Sequence, residues 1–312
     1  MLQKLRQQLK KIAFLHNIYM RLKRAYTREL LGMTTRSEQE YFAHYGENIY
    51  TGKGEVVDLG CWLGSTTISV VKGLLKNPSF VASKKKVYAY DAFIWYDSMN
   101  EPVAGTDLVG KYKEGDSFLD AYKKRTAEYA SRIEICAGDL TRIGWKDVNG
   151  GDIEFLLVDA MKNWELTNAI LRDFYPHLVP GESYVLQQDF AHYFTVWIHL
   201  IHWRLRDYFE FAHDIPNSSS VVFKNVNRIP AELLQKEYSF ADFSSEDIDS
   251  AIDYSLSLVS DDKKANIEAA RIMAYIHQKN HAKAREIFKA VESSGIAIEN
   301  DLMIVKDLLD TN

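Results

Sequence analysis

The chain has 312 residues, of which 46% are hydrophobic and 26% are charged, a composition typical of a folded globular protein. Its formal net charge of −5 argues against a protein that gains affinity by neutralising nucleic-acid phosphates, so we expect no nucleic-acid partner. Only Cys61 and Cys136 are present, which excludes a disulfide framework and a cysteine-rich zinc site. The sequence contains no run of roughly 18 apolar residues, the length expected of a membrane span, and we expect a cytoplasmic location.

The N-terminal segment differs in charge from the rest of the chain. Residues 1–28 contain eight Lys and Arg and no acid, a charge of +8, whereas the remainder has 30 basic and 43 acidic residues, a charge of −13. Apolar residues at helical spacing over residues 2–26 predict a helix with an apolar stripe and a cationic face. Peripheral membrane contact, homo-oligomer contact and packing on its own domain all remain open for this helix.

Short β-branched and aromatic runs alternate with helix-length amphipathic segments in the middle of the chain. The runs are residues 55–59, 86–90, 132–136, 153–158 and 184–188, and the helices between them are predicted at 65–76, 117–130 and 163–177. Strands that alternate with helices predict a doubly wound, mostly parallel α/β sheet.

The pattern changes after the fifth strand. An aromatic helix is predicted over residues 192–207, followed by two strands at 208–213 and 220–224 that form an antiparallel hairpin and bring the sheet to seven strands. The rest is helical, and residues 267–290 resemble one tetratricopeptide-like helix pair. We therefore predict an N-terminal helical arm (1–50), an α/β domain (51–228) and a C-terminal helical extension (229–312).

The segment from Asp58 to Thr66 is the most informative motif, because a strand runs through a turn with two glycines directly into a helix. Gly60 allows the backbone to approach a ligand closely, and the start of the following helix offers N–H groups to a carboxylate or phosphate. Asp58 places an anion beside them. The dinucleotide motif GxGxxG is absent. A ligand with both a carboxylate and an ammonium group would suit this turn.

An acid lies near the carboxyl end of each of the five parallel strands. These acids are Asp58 in the first strand and Asp91, Asp139, Asp159 and Asp189 near the ends of the next four strands. Ligands of open α/β sheets bind at these strand ends, and an acid after the second strand is well placed for ribose hydroxyls. The five acids together predict one binding site.

On these motifs the chain resembles class I S-adenosylmethionine-dependent methyltransferases, and among them the macrocin O-methyltransferase family. The resemblance rests on Asp58-x-Gly60-x-Trp62-x-Gly64, Tyr90-Asp91-Ala92-Phe93, Ala137-Gly138-Asp139 and the stretches 153–159 and 175–181. It implies a Rossmann-like methyltransferase fold with S-adenosylmethionine as cofactor. The implied cofactor-binding residues are Asp58, Gly60, Trp62, Gly64, Ser65, Thr66, Asp91, Phe93, Asp139 and Asp159.

The resemblance also implies a metal site and a catalytic centre. Asp159, Gln188 and Asp189 are the expected ligands of Mg²⁺ or another divalent cation, although Gln188 stands where the family has an aspartate. A further acid usual in the family is replaced around Met161-Lys162. Each lost carboxylate lowers the expected metal affinity. His192 is the candidate general base and Asp159 the alternative.

Together these features predict an O-methyltransferase that acts on a hydroxyl of a sugar or glycan. Two alternatives stay open: a small phenolic or polyketide acceptor, and a non-catalytic scaffold on the same fold. The histidines at 199 and 202 are expected to pack in the core or at an interface rather than bind metal. The long polar segment 93–116 is a candidate active-site lid.

Overall fold

A computed structural model describes residue 15, residues 18–22 and residues 30–311 of the chain. Leu15 and residues 18–22 are helical, but the rest of the helix predicted over residues 2–26 lies outside the described residues. No helix in the described ranges is both long enough and apolar enough to cross a membrane. Lipid or subunit contact through the N-terminal arm therefore stays a prediction.

Seven strands form one mixed sheet. They are β1 (Glu55–Leu59), β2 (Val87–Asp91), β3 (Ile133–Ala137), β4 (Ile153–Val158), β5 (Tyr184–Gln187), β6 (Phe209–Asp214) and β7 (Val221–Asn225). Their order in the sheet is β3-β2-β1-β4-β5-β7-β6. The pairs β2·β3, β1·β4 and β4·β5 are parallel, whereas β7 is antiparallel to both β5 and β6. The predicted α/β fold with a mostly parallel seven-stranded sheet and an edge hairpin is confirmed.

The central strands are apolar because they are buried. All six residues of β4 and four of the five in β1 are inaccessible to solvent, as expected of a sheet covered on both faces. Glu154 is the polar exception in β4, and its Oε2 accepts the N–H groups of Lys53 at 2.7 Å and Gly54 at 3.0 Å. A Cβ at Gly54 would lie 2.5 Å from the Glu154 nitrogen, so only glycine allows this approach.

Eleven helices lie within residues 30–311. They are α1 (Arg36–His44), α2 (Ser65–Leu74), α3 (Pro78–Ala82), α4 (Leu119–Thr126), α5 (Trp164–Asp173), α6 (Val196–Arg204), α7 (Ala231–Leu234), α8 (Ser245–Leu258), α9 (Asp261–His277), α10 (His281–Ser293) and α11 (Asp301–Thr311). The α5 helix is shorter than predicted, because Pro176 has no N–H to donate and the chain continues as a 3₁₀ turn. The α6 helix begins at Val196, so His192 lies in the preceding turn rather than in the helix.

The chain divides into two compact units. Unit 1 holds the described residues up to Gly52 together with Gly60–Asp139, and unit 2 holds Lys53–Leu59 together with the described residues from Leu140 onward. In unit 1, α1 packs on α2. A Cβ at Gly73 would lie 2.0 Å from the carbonyl oxygen of Ala43, so a glycine in α2 permits this contact. The predicted division into 1–50, 51–228 and 229–312 stays a prediction.

In unit 2 a buried lysine fastens the C-terminal helices to the edge hairpin. Lys263 of α9 is only 2% exposed, contacts the carboxylate of Asp214, and donates to the carbonyl oxygens of Ile215 and Ser220, both at 2.8 Å. Burial raises the pKa of Asp214, but hydrogen bonds from Lys263 and Ser260 outweigh it and hold that pKa below its usual range. The helix pair α9–α10 forms as predicted, with its turn at residues 278–280.

Candidate functional site

The turn between β1 and α2 has the tight backbone geometry that its glycines predict. Gly60 and Gly64 have φ values of 88° and 84°, in the left-handed region that favours glycine. Trp62 between them also has a positive φ, of 40°. The N–H groups of Gly60 and Cys61 both donate to the carbonyl of Tyr90, at 2.8 and 3.2 Å. This loop is therefore held against the end of β2.

Asp91, the last residue of β2, is the centre of the candidate site in unit 1. Its Oδ2 accepts the N–H of Trp62 at 2.9 Å, and its Oδ1 accepts the N–H of Phe93 at 2.6 Å. Its own carbonyl accepts the N–H of Gly138, at 2.9 Å, from the turn after β3. One aspartate thus joins the three loops that follow β1, β2 and β3, and the exposed Asp139 lies in the third of them.

The start of α2 offers groups suited to a polar ligand. Gly64 is the residue before the helix, and no side chain caps the first turn. Ser65 and Thr66 are buried there, and the hydroxyl of Ser65 accepts a hydrogen bond from Thr34 at 2.9 Å. The indole Nε1 of Trp62 is buried without a hydrogen-bond partner among the described residues. A buried donor of this kind usually has a ligand or water as its partner.

The remaining predicted cofactor residues differ in their surroundings. Asp58 lies in β1 of unit 2 and is buried. Phe93 is also buried, with a φ of 53°, and its ring packs on Phe118 and Tyr122 at centroid distances of 5.6 and 5.1 Å. Through this packing the side chain of Phe93 supports the loop that follows β2. Arg125, which the sequence analysis missed, donates from Nε to the carbonyl of Leu63 at 2.9 Å and braces the glycine turn.

The segment 93–116 is an ordered loop closed at its base. Ile94 and Ser117 form an antiparallel bridge, and the N–H of Trp95 donates to the carbonyl of Asp116 at 2.8 Å. Trp95 is fully buried and packs on the Tyr112 ring at a centroid distance of 5.1 Å, whereas Tyr96 is 50% exposed. The function of the loop as a lid stays a prediction.

Unit 2 carries a second cluster, at the ends of β4 and β5. The N–H of Asp159 donates to Leu59 at 2.8 Å, and the N–H of Gln188 donates to Val158 at 3.0 Å, so both strand ends continue the sheet. Lys162 lies between the two acids that follow these strands. Its Nζ is 2.6 Å from Oδ1 of Asp159 and also contacts Oδ2 of Asp189. Sequence reasoning noted the lysine but not this bridge.

These residues do not fit the predicted divalent cation. Within residues 30–311 and the short described helical stretch before them, no group of three or more His, Cys, Asp and Glu is arranged to hold a metal. The ammonium of Lys162 contacts Asp159 and Asp189, the two expected carboxylate ligands. A metal cation in the same place would meet its positive charge. Gln188, the third expected ligand, is buried.

His192 lies close to an acid that the sequence analysis did not consider. Its Nδ1 lies 3.3 Å from Oδ2 of Asp301, the first residue of α11, and the same oxygen accepts the N–H of Tyr193 at 2.8 Å. Burial lowers the pKa of His192, with Asp301 opposing and Lys162 adding to that effect. Burial also raises the pKa of Asp301. The imidazole is therefore neutral near pH 7 and able to accept a proton.

The two histidines of α6 belong to the core. His199 and His202 are fully buried, and burial lowers the pKa of each to about 3. Nδ1 of His199 lies 2.9 Å from the hydroxyl of Ser255, and the ring of His202 stacks on Phe223 with centroids 4.0 Å apart. This is the packing role expected from the sequence.

Comparisons with known proteins find likeness only in solved structures. No protein-family model matches the chain, and no curated protein sequence does. The O-methyltransferase NovP is 15% identical with a TM-score of 0.48, over 63% of this chain and 83% of NovP. The pyocyanin biosynthetic protein PhzM is 12% identical with a TM-score of 0.36, over 60% of this chain and 55% of PhzM. PKMT2 from Rickettsia typhi, in complex with AdoHcy, is 14% identical with a TM-score of 0.31, over 80% and 44% of the two chains.

Proposed function

We propose that this protein is an S-adenosylmethionine-dependent O-methyltransferase whose acceptor is a hydroxyl of a sugar or glycan. The observation that carries the proposal is the double hydrogen bond from the backbone of Trp62 and Phe93 to Asp91. It joins the glycine turn to the acid at the end of β2, and the family resemblance implies that both bind this cofactor.

The residues of unit 1 suit the separate parts of the cofactor. The uncapped start of α2 favours the methionine carboxylate, since backbone N–H groups and the helix dipole both attract an anion. In this proposal Asp91 accepts from ribose hydroxyls, and the exposed Asp139 accepts from an adenine amino group. The buried Nε1 of Trp62 is a donor that a ligand would satisfy. When bound, S-adenosylmethionine supplies an activated methyl group on a sulfonium.

The proton of the acceptor hydroxyl needs a base, and His192 suits this role. Because burial lowers its pKa, the imidazole is neutral and accepts a proton as the hydroxyl oxygen forms its bond to the methyl carbon. The nearby carboxylate of Asp301 stabilises the imidazolium that results. Asp159, the alternative base, already interacts with Lys162 through one of its oxygens.

The class of acceptor rests on the sequence resemblance alone. A phenolic or polyketide hydroxyl would need the same proton removal and the same cofactor, so the chemistry of His192 does not separate the two classes. A non-catalytic scaffold would bind the cofactor without turnover. An acceptor screen distinguishes all three hypotheses.

We would incubate the protein with methyl-labelled S-adenosylmethionine and two panels of acceptors, sugars with oligosaccharides and small phenols. Transfer to a sugar that falls by about 10²-fold or more in His192→Ala supports the proposal. His44→Ala, a change at an exposed histidine of α1, is the matched control and keeps wild-type activity. Transfer to phenols alone contradicts the sugar acceptor, and cofactor binding without transfer to either panel supports a scaffold.

A further inference from the structure

In unit 2, the carboxylates of Asp159 and Asp189 already have a cation beside them, the ammonium of Lys162. Asp159 and Asp189 follow neighbouring parallel strands, and the ammonium of Lys162 bridges them. The lysine lies in a tight turn, where its N–H donates to the carbonyl of Ala160 at 2.8 Å. Nε1 of Trp197 donates to the carbonyl of Met161 at 2.6 Å, so α6 holds the turn that carries the lysine.

The charges of this site favour the ammonium of a lysine side chain over a free divalent metal ion. Two carboxylates and one ammonium leave a net charge of −1, and a bound divalent cation would make the same site positive. The cation would also have to compete with Lys162, which already contacts one oxygen of each carboxylate. The three side chains are 37%, 26% and 20% exposed in the order Lys162, Asp159 and Asp189, so a solvent-borne ligand can reach the site.

An ammonium has three N–H groups, and two of them account for the contacts with Asp159 and Asp189. The third can donate to another oxygen, with the ring of Phe194 nearby at 5.7 Å from Nζ to the centroid. A donor of this kind polarises a hydroxyl and stabilises negative charge that develops on its oxygen, which is the task a metal would perform. Lysine does so as a point charge.

We propose that Lys162 is the resident cation of this site, that it positions the acceptor hydroxyl, and that methyl transfer needs no divalent metal. The part that concerns the acceptor rests on the proposed function. The acceptor oxygen forms a bond to the methyl carbon as the sulfur–methyl bond breaks, and sulfur leaves as a neutral thioether. The hydroxyl proton passes to His192.

The decisive experiment measures the binding of Mn²⁺ by electron paramagnetic resonance. The wild-type protein should bind Mn²⁺ at least tenfold more weakly than Lys162→Ala, in which the two carboxylates lose their ammonium. The control Lys162→Ala/Asp189→Asn removes one of the carboxylates and should return to the weak binding of the wild type. Circular dichroism melting shows whether each variant is folded. Equal Mn²⁺ binding by wild type and Lys162→Ala would overturn the proposal.

A second arm separates this proposal from the proposed function. We expect wild-type methyl transfer to be unchanged by EDTA and to fall at least 100-fold in Lys162→Ala, with S-adenosylmethionine affinity unchanged. Loss of wild-type activity in EDTA would refute the role of Lys162 while leaving the methyltransferase intact. Failure of the wild-type protein to bind S-adenosylmethionine would refute the proposed function, whereas the Mn²⁺ result would still decide whether Lys162 excludes a divalent cation.

Discussion

The carboxylate of Asp301 opposes the lowering of the His192 pKa by burial, and Asp301→Asn tests this effect. The substitution keeps the shape of the side chain and an acceptor for the N–H of Tyr193, but removes the negative charge 3.3 Å from Nδ1 of His192. Because that charge favours the imidazolium, its loss should lower the pKa of His192 further.

The size of the effect follows from the distance and from the partial burial of the pair, since His192 is 31% exposed and Asp301 9%. With an effective dielectric constant between about 20 and about 80, two unit charges at this separation interact by roughly 5 to 1.3 kcal/mol. At about 1.4 kcal/mol per pKa unit, the loss of this interaction is large enough for a titration to show a lower pKa of His192.

The assay is an NMR titration of the labelled histidine rings, with His192 assigned from the signal missing in His192→Asn. Asp307→Asn, at an exposed position of the same helix, is the matched control and should leave the titration unchanged. In an activity assay the acidic limb of the pH profile of Asp301→Asn should move to lower pH, while the maximal rate falls because the base is weaker. An unchanged or raised pKa of His192 would refute the reasoning.

Three further predictions concern stability and the cofactor loop. Lys263→Met should cost about 3–5 kcal/mol of unfolding free energy in urea, because Asp214 loses its buried cation, and adding Asp214→Asn should recover part of that loss. A cost within about 1 kcal/mol of zero would contradict the structural role of the pair. His199 and His202 are neutral in the folded protein with pKa values of about 3, while the unfolded chain binds protons near pH 6.5, so stability should fall as the pH drops below about 6.5, by about 2 kcal/mol each at pH 5. Urea titrations at several pH values check this, and a stability that does not change between pH 7 and pH 5 would argue against buried neutral rings. Gly64→Ala places a side chain at a φ of 84° and should cost about 1–2 kcal/mol and weaken S-adenosylmethionine binding in calorimetry, whereas the same change at the exposed Gly110 should leave the affinity unchanged.

The strands were predictable from sequence because burial on both faces leaves a continuous apolar run. The run at residues 153–158 coincides with β4, and the run at 86–90 differs from β2 by one residue at each end. The ends of the helices were harder to predict from the sequence. The apolar pattern continues past Asp173, and only the missing N–H of Pro176 shows why α5 stops there.

In the candidate site, too, features set by local sequence were predictable, whereas contacts that depend on tertiary packing were not. Asp91 and the glycine turn were identifiable, because strand ends and the motif that follows them are adjacent in sequence. Asp301 was not, since 108 residues separate it from Tyr193 and only tertiary packing brings α11 to this place. Lys162 was visible as a departure from the family pattern, but no sequence spacing shows that a flexible side chain will bridge two carboxylates.

The central claim is that Asp91 and the glycine turn bind S-adenosylmethionine. Isothermal titration of the protein with S-adenosylmethionine and with S-adenosylhomocysteine, each with and without Mg²⁺, tests it most directly. We expect binding by the wild type that is independent of Mg²⁺, is lost in Asp91→Ala, and is retained in Asp107→Ala, a change at an exposed aspartate of the loop 93–116. Absence of binding by the wild type, or equal binding by folded Asp91→Ala, would contradict the claim.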